Sequence, residues 1–203
     1  MNLIFDLDGT LIDSSRRMFS LFNNLVAEST LDKDSYWILK RNGISHETIL
    51  REKFNYSTNR IADFSIRWMD LIESTSYLAF DLKYANVDEK LATLKKSGSL
   101  YLCTSRQSIS STLSQLKKLG LYELFDEIII TQHRSTKHDL IIKYIDVTPN
   151  DWMIGDTGYD IKTGHQLGIS TCAVTNGFLC EEVLRRYNPR KIIENISMLD
   201  VGC

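Results

Sequence analysis

Proline is almost absent from this chain, with two residues in 203, and no repeat or low-complexity stretch interrupts it. Domain boundaries are therefore not marked by flexible linkers and have to be read from changes in periodicity. No apolar run approaches the ~18 residues of a membrane-spanning helix. The opening Met1-Asn2-Leu3-Ile4-Phe5 reaches Asp6 too soon for a secretory signal. Charge of one sign is lacking too. With 24 Lys+Arg against 26 Asp+Glu the formal charge is −2, and no long basic stretch offers a footprint for nucleic acid. The four cysteines, Cys103, Cys172, Cys180 and Cys203, form no C-x-x-C pair. Cys103 and Cys172 stand inside apolar segments and read as small buried thiols. The expectation is a reduced, cytoplasmic protein with neither membrane nor nucleic acid among its partners.

The chain has the material for a large core. Hydrophobic residues make up 43% and charged residues 25%, and a chain this long buries roughly 70% of its unfolded surface without disulfide or zinc. Five short apolar runs stand out: Leu3–Phe5, Leu100–Cys103, Ile128–Ile130, Trp152–Ile154 and Ser170–Val174. None alternates with polar residues, as expected for parallel strands covered on both faces. Amphipathic segments lie between them. Ile109 to Leu119 places Ile109, Leu113, Leu116 and Leu119 on one helical face, and Asp139–Ile145 and Asp160–Leu167 are shorter versions. Gly120 and Gly168 follow such segments as helix-ending glycines do.

One interval departs from this alternation. From about Ser14 to about Tyr84 no strand pattern is convincing, whereas Ile61 to Leu78 reads as a helix, and Ser45 as the N-cap of another opening at His46. The fold class expected is α/β: a Rossmannoid three-layer α/β/α core with a parallel sheet, spanning 1–13 and 85–203. A helical cap, 14–84, is inserted after the first strand. The alternative is that these helices pack directly on the main core.

The sharpest chemical feature is Asp6-Leu7-Asp8-Gly9-Thr10-Leu11, at the end of the first strand. Ligands of open α/β sheets gather at such ends. Two carboxylates this close repel unless a cation offsets them, and Mg²⁺ favours one or two carboxylates plus water and phosphate oxygens. A second acidic cluster, Gly155-Asp156-Thr157-Gly158-Tyr159-Asp160, follows the Trp152–Ile154 strand. Taken alone, Asp156 could be an ordinary helix N-cap. Thr104 and Ser105 follow another strand, where hydroxyls and backbone N–H groups can hold phosphate oxygens. Lys137 would supply a fixed positive charge.

In order and strand context these segments resemble the four signatures of the haloacid dehalogenase superfamily: Asp6–Thr10, Thr104, Lys137, and Gly155-Asp156 with Asp160. The resemblance implies phosphoryl transfer through an aspartyl-phosphate. Asp6 would be the nucleophile and Asp8 the general acid and base. Mg²⁺ would be held by Asp6, the Asp8 carbonyl, Asp156 and Asp160, and Thr104, Ser105 and Lys137 would cradle the phosphoryl group. Asp8 favours a phosphatase or phosphomutase over a dehalogenase, since halide leaves without protonation. The stretch Lys40–Leu50 resembles the specificity loop of the phosphoglycolate phosphatase and β-phosphoglucomutase subgroup, making Arg41 and His46 candidate substrate ligands. His138 stands where proline is common, and Arg106, opening a helix, reads as solvated. A Mg²⁺-dependent hydrolase of small phosphorylated metabolites, phosphoglycolate-like acids ahead, is the function expected, as a monomer or homodimer. A phosphomutase, or a catalytically idle binding protein on the same fold, is the alternative.

Overall fold

The computed structural model describes residues 1–201, so Cys203 lies outside the described residues. The chain begins with β1 (Asn2–Phe5) and β2 (Ile12–Asp13), followed by α1 (Ser15–Leu25), α2 (Lys33–Arg41), α3 (His46–Phe54), α4 (Thr58–Leu71) and α5 (Thr75–Leu78). It returns through β3 (Leu82–Lys83) and α6 (Val87–Leu94) to β4 (Ser99–Thr104), α7 (Ile109–Lys118), β5 (Glu127–Ile130) and α8 (Lys137–Tyr144). The last elements are β6 (Trp152–Gly155), α9 (Gly158–Gln166), β7 (Ser170–Val174), α10 (Glu181–Arg185) and β8 (Lys191–Ile193).

Six strands form one parallel sheet in the order β5-β4-β1-β6-β7-β8. The absence of polar alternation has a direct consequence, because successive strand residues face opposite sides. Leu3 and Phe5 join Leu100, Leu102, Trp152 and Ile154 in one core, closed by Val87 and Leu91 of α6 and Leu116 of α7. Ile4, Cys103 and Met153 form a second core on the other face with Ile141 of α8. Cys103 and Cys172 are buried free thiols, as expected.

Helices α1 to α5 lie between β2 and β3, which pair antiparallel with Ile12 opposite Lys83. They carry a separate aromatic core built on Phe22, Tyr36, Leu50 and Phe64. The α3 start is as expected, Ser45 Oγ accepting from Thr48 N at 3.0 Å. Gly120 and Gly168 adopt φ of 71° and 68°, the left-handed conformation that ends α7 and α9.

Several local expectations are corrected. The segment Ile61–Leu78 is two helices, because Ser74 restarts the chain as the N-cap of α5. Ile66 within it is 62% exposed, and Ile109 of α7 is 45% exposed. Leu116 is buried as its spacing predicts, and the buried face of α7 also carries Thr112 and Gln115. Gln115 is drawn inward by hydrogen bonds from its Nε2 to Asp81 Oδ2 and Leu78 O. Strands β2, β3 and β8 lie outside the five apolar runs of the sequence. The first two have two residues each, and the half-buried β8 adds an edge to the sheet.

Candidate active site

Three adjacent strands, β4, β1 and β6, end together and deliver Thr104, Asp6 and Asp156 to one place. Asp6 stays tied to the sheet edge by its N–H, which donates to Ile154 O at 2.9 Å. The chain then turns tightly: the Leu7 carbonyl accepts from Leu11 N at 2.9 Å and Ile12 N at 3.2 Å. Gly9 has φ 82°, and an added Cβ there would collide with the Asp156 carboxylate. Glycine is required by both conformation and space.

Asp6, Asp156 and Asp160 are all buried, and each offers a carboxylate oxygen within 4.8 Å of the others. Burial pushes the Asp6 carboxyl up to about 7, against the opposing pull of Lys137. Burial, with Asp6 and Asp160 nearby, also raises Asp156 well above the ordinary carboxylate range. One cation meets this cluster: Lys137 Nζ donates to Asp6 Oδ1 at 2.5 Å and Asp160 Oδ1 at 2.7 Å. Burial opposes the ammonium charge, but Asp160 and Asp6 override it and keep Lys137 protonated. Asp156 Oδ2 accepts from Phe178 N at 2.6 Å and Oδ1 from Thr10 Oγ1 at 3.3 Å. Asp160 Oδ2 accepts from Thr157 Oγ1 at 2.6 Å. The N-cap of α9 is thus Thr157 with Asp160 completing its capping box, and Asp156 is released from that duty. Three buried oxygen donors with less than matching positive charge fit a hard divalent cation.

Asp8 turns away from the acidic cluster. Its Oδ2 accepts from Arg106 Nε at 2.7 Å and its Oδ1 from Arg106 Nη2 at 2.8 Å, a bidentate grip. Arg17 Nη2 also donates to Oδ1. Burial alone would raise the Asp8 carboxyl, but Arg106 and Arg17 override it and hold it well below the ordinary range. Behind them lies Asp81, 4% exposed, 3.0 Å from Arg17 Nε and 3.3 Å from Arg106 Nη2. Burial lifts its carboxyl to about 6 against the pull of Arg17. Arg106, expected to be solvated, is 3% exposed. The reason is the two acidic partners, which lie 98 and 25 residues away along the chain.

A cavity of about 360 Å³ opens over these groups. Asp6, Asp8, Thr104, Ser105, Lys137 and Asp160 all lie on its wall, together with Met18, Trp68, Ile72 and Glu73 from the helical cap. The cap sits against the core here. Glu73 accepts from Gln107 N and Ser108 N at 2.8 and 2.9 Å, and Trp37 packs on Phe178 with ring centroids 5.3 Å apart. Two expected ligands stand elsewhere. The His46 ring lies among Phe22, Tyr36, Phe64 and Trp68, hydrogen-bonded to Tyr36 Oη at 2.8 Å, and is absent from the cavity wall. Burial and Lys40 hold it well below the ordinary imidazole value. Arg41 joins cap to core, Nη1 donating to Gly177 O at 3.4 Å, and is also off that wall. In their place the structure brings in Arg17, Glu73, Arg106 and Phe178. In the sequence Arg17 stands close behind the first acidic motif and Arg106 directly follows Thr104 and Ser105, whereas Glu73 and Phe178 lie in no motif.

A parallel sheet thus carries an acidic centre at its strand ends, with a helical cap above it. The sequence profile of the haloacid dehalogenase-like hydrolases matches residues 3–174, and the chain belongs to that family. It is similar to a phosphoglycolate phosphatase of Psychrobacter arcticus, 25% identical over 97% of this chain and 93% of the relative. It is also similar to the pyrophosphatase PpaX of Oceanobacillus iheyensis, 25% identical over 96% and 92%. A haloacid dehalogenase-like family hydrolase from Streptococcus pneumoniae superimposes with a TM-score of 0.79 at 24% identity, over 97% of this chain and 94% of that one. That likeness carries the fold.

Proposed function

We propose that this hydrolase cleaves the phosphomonoester of a small metabolite in two steps, through a phosphoryl group carried on Asp6. The observation that supports it most is the Asp6 carboxylate, braced on one oxygen by Lys137 and standing on the wall of the capped cavity beside Thr104 and Ser105. Asp6 attacks phosphorus and the ester oxygen departs; water then attacks the phosphorylated carboxylate, releasing phosphate and restoring Asp6. Lys137 neutralises charge gathering on the transferring group, and Thr104 and Ser105 hold its oxygens. Asp6, Asp156, Asp160 and the Asp8 backbone carbonyl would hold Mg²⁺, which when bound offsets phosphate charge and orients the group.

Asp8 is the proton carrier of this scheme. In the capped state it is ionised by Arg106 and Arg17, the form needed to take a proton from attacking water. Delivering a proton to a leaving oxygen requires that grip to loosen. The cap, 14–84, hinges where β2 meets β3, and its opening admits substrate and releases product. With no helix among the described residues long and apolar enough to cross a membrane, a cytoplasmic setting and a monomer or homodimer complete the reading. The phosphomutase alternative needs a second phosphate site in the cap, and Arg41 and His46, the candidates for it, are engaged elsewhere.

Purified protein assayed with Mg²⁺ against a panel of phosphate esters tests the proposal. Turnover should require the metal and fall at least ~10³-fold in Asp6→Asn. Equal turnover in the variant, or in excess chelator, would overturn it.

A further inference from the structure

Of the two relatives described above, one is named for phosphoglycolate and the other for pyrophosphate, so the likeness does not choose the substrate. The cavity wall does, provided the site is the phosphatase centre proposed above. Lys137 is consumed by Asp6 and Asp160. Arg106 is consumed by Asp8 and Asp81, and its remaining Nη1, though unpartnered, is sealed from solvent. Arg17 is divided among Asp8, Asp81 and the Ile72 carbonyl. The other basic group on the wall among the described residues is His133, exposed on the loop after β5.

The acidic side is in excess. Glu73 brings a further carboxylate from the cap, its oxygens turned to the backbone N–H groups of Gln107 and Ser108. Apart from the paired Arg17, the rest of the cap's contribution is apolar: Met18, Trp68 and Ile72, with Phe178 of the core completing the surface. A leaving group carrying its own negative charge would enter between Asp8 and Glu73 with no free arginine or lysine to pair it, and desolvating such a charge unpaired is costly. A neutral apolar body would be covered by Trp68 and its neighbours, and a cavity of about 360 Å³ admits a phosphoryl group with a ring-sized substituent.

We propose that the substrates of this site are phosphate monoesters of uncharged, apolar or aromatic alcohols, and that Trp68 and Ile72 set this preference against carboxylated esters and pyrophosphate.

The test uses pairs matched in leaving-group chemistry: benzyl phosphate with phosphoglycolate, and phenyl phosphate with 4-carboxyphenyl phosphate, on the full chain with Mg²⁺. The neutral member of each pair should have a kcat/KM at least about tenfold higher, chiefly through KM. Ile72→Lys, which sets a free cation in the apolar wall, should shift the ratio toward the charged member by about tenfold, and Trp68→Ala should shrink it. Because Trp68 also packs in the cap core, the lysine variant carries the decision. Equal or better turnover of the charged esters would overturn the inference. If no ester is hydrolysed, the phosphatase reading fails separately. Binding of benzylphosphonate against phosphonoacetate to Asp6→Asn then decides the wall's preference, which tighter binding of phosphonoacetate would refute.

Discussion

Lys137 shows how one side chain serves both stability and chemistry. It is 2% exposed and lies between Asp6 and Asp160. Its ammonium is desolvated, which is tolerable only because two carboxylates share it. Removing one partner of a buried ion pair leaves the other charged and unpaired, at a cost of about 3–5 kcal/mol. Lys137→Met is therefore expected to lower unfolding stability by an amount of that order in urea titrations without metal, with Mg²⁺ restoring part of it. A loss below ~1 kcal/mol would show that the carboxylates simply take up protons instead. The same residue illustrates a limit of local reading. Taken alone, a lysine after a strand belongs on the surface, and only its partners, 131 and 23 residues away, draw it inside. Arg106 is the stronger case, since no nearby residue signals Asp8 or Asp81.

At the scale of elements, the seam between cap and core is made by separate contacts from Glu73, Met69, Arg41 and Trp37 among others, and each is addressable. Glu73 caps free N–H groups at the approach to α7 while standing on the cap. Glu73→Ala removes two hydrogen bonds to a charged acceptor, worth about 1–2 kcal/mol for a half-buried group. The variant should open the seam without unfolding either core. Hydrogen exchange is the measurement: amides of Gln107 and Ser108 should exchange faster while those of β1 do not. Protection unchanged at Gln107 and Ser108 would remove Glu73 from the seam. Helix starts were legible in the sequence where a cap serine announces them, as Ser45 does for α3. The break between α4 and α5 was not, because Leu71 and Leu78 stand seven residues apart, a helical spacing that bridges the polar run 73–76 in which Ser74 restarts the chain. The exposure of Ile109 has a related cause: apolar spacing names a candidate face, whereas neighbouring elements decide how far it is covered.

Across the whole molecule, the acidic centre makes stability depend on pH and on metal together. Asp6 titrates at about 7 in the folded protein against an ordinary value of 3.8, and Asp156 lies well above that value as well. The unfolded chain therefore gives up these protons first, and stability falls as pH rises from about 4 through 7. Asp8 acts in the opposite sense, but its contribution is already complete above 3.8 and is lost only in stronger acid. A divalent cation replaces the missing protons. Thermal unfolding should show apo-protein losing stability between about pH 5 and pH 8, and a Mg²⁺-induced rise in Tm that grows over the same interval. A metal increment independent of pH would place the ion away from these carboxylates.

The sequence by itself determined the alternation of buried strands and helices, the helical insertion, and the acidic strand ends with Thr104 and Lys137. These are written in local periodicity and short spacings, because a parallel strand covered on both faces does not alternate apolar with exposed polar positions. It also named Asp6, Asp156 and Asp160, whose neighbours are turn residues suited to strand ends. Only the tertiary structure decided which charges are paired. It removed His46 and Arg41 from the cavity wall, clamped Asp8 between Arg17 and Arg106, and set Trp68 and Ile72 facing the acidic centre. The physical reason is that a charge's environment is set by groups tens of residues distant, brought within about 3 Å by packing, and no local pattern records that distance.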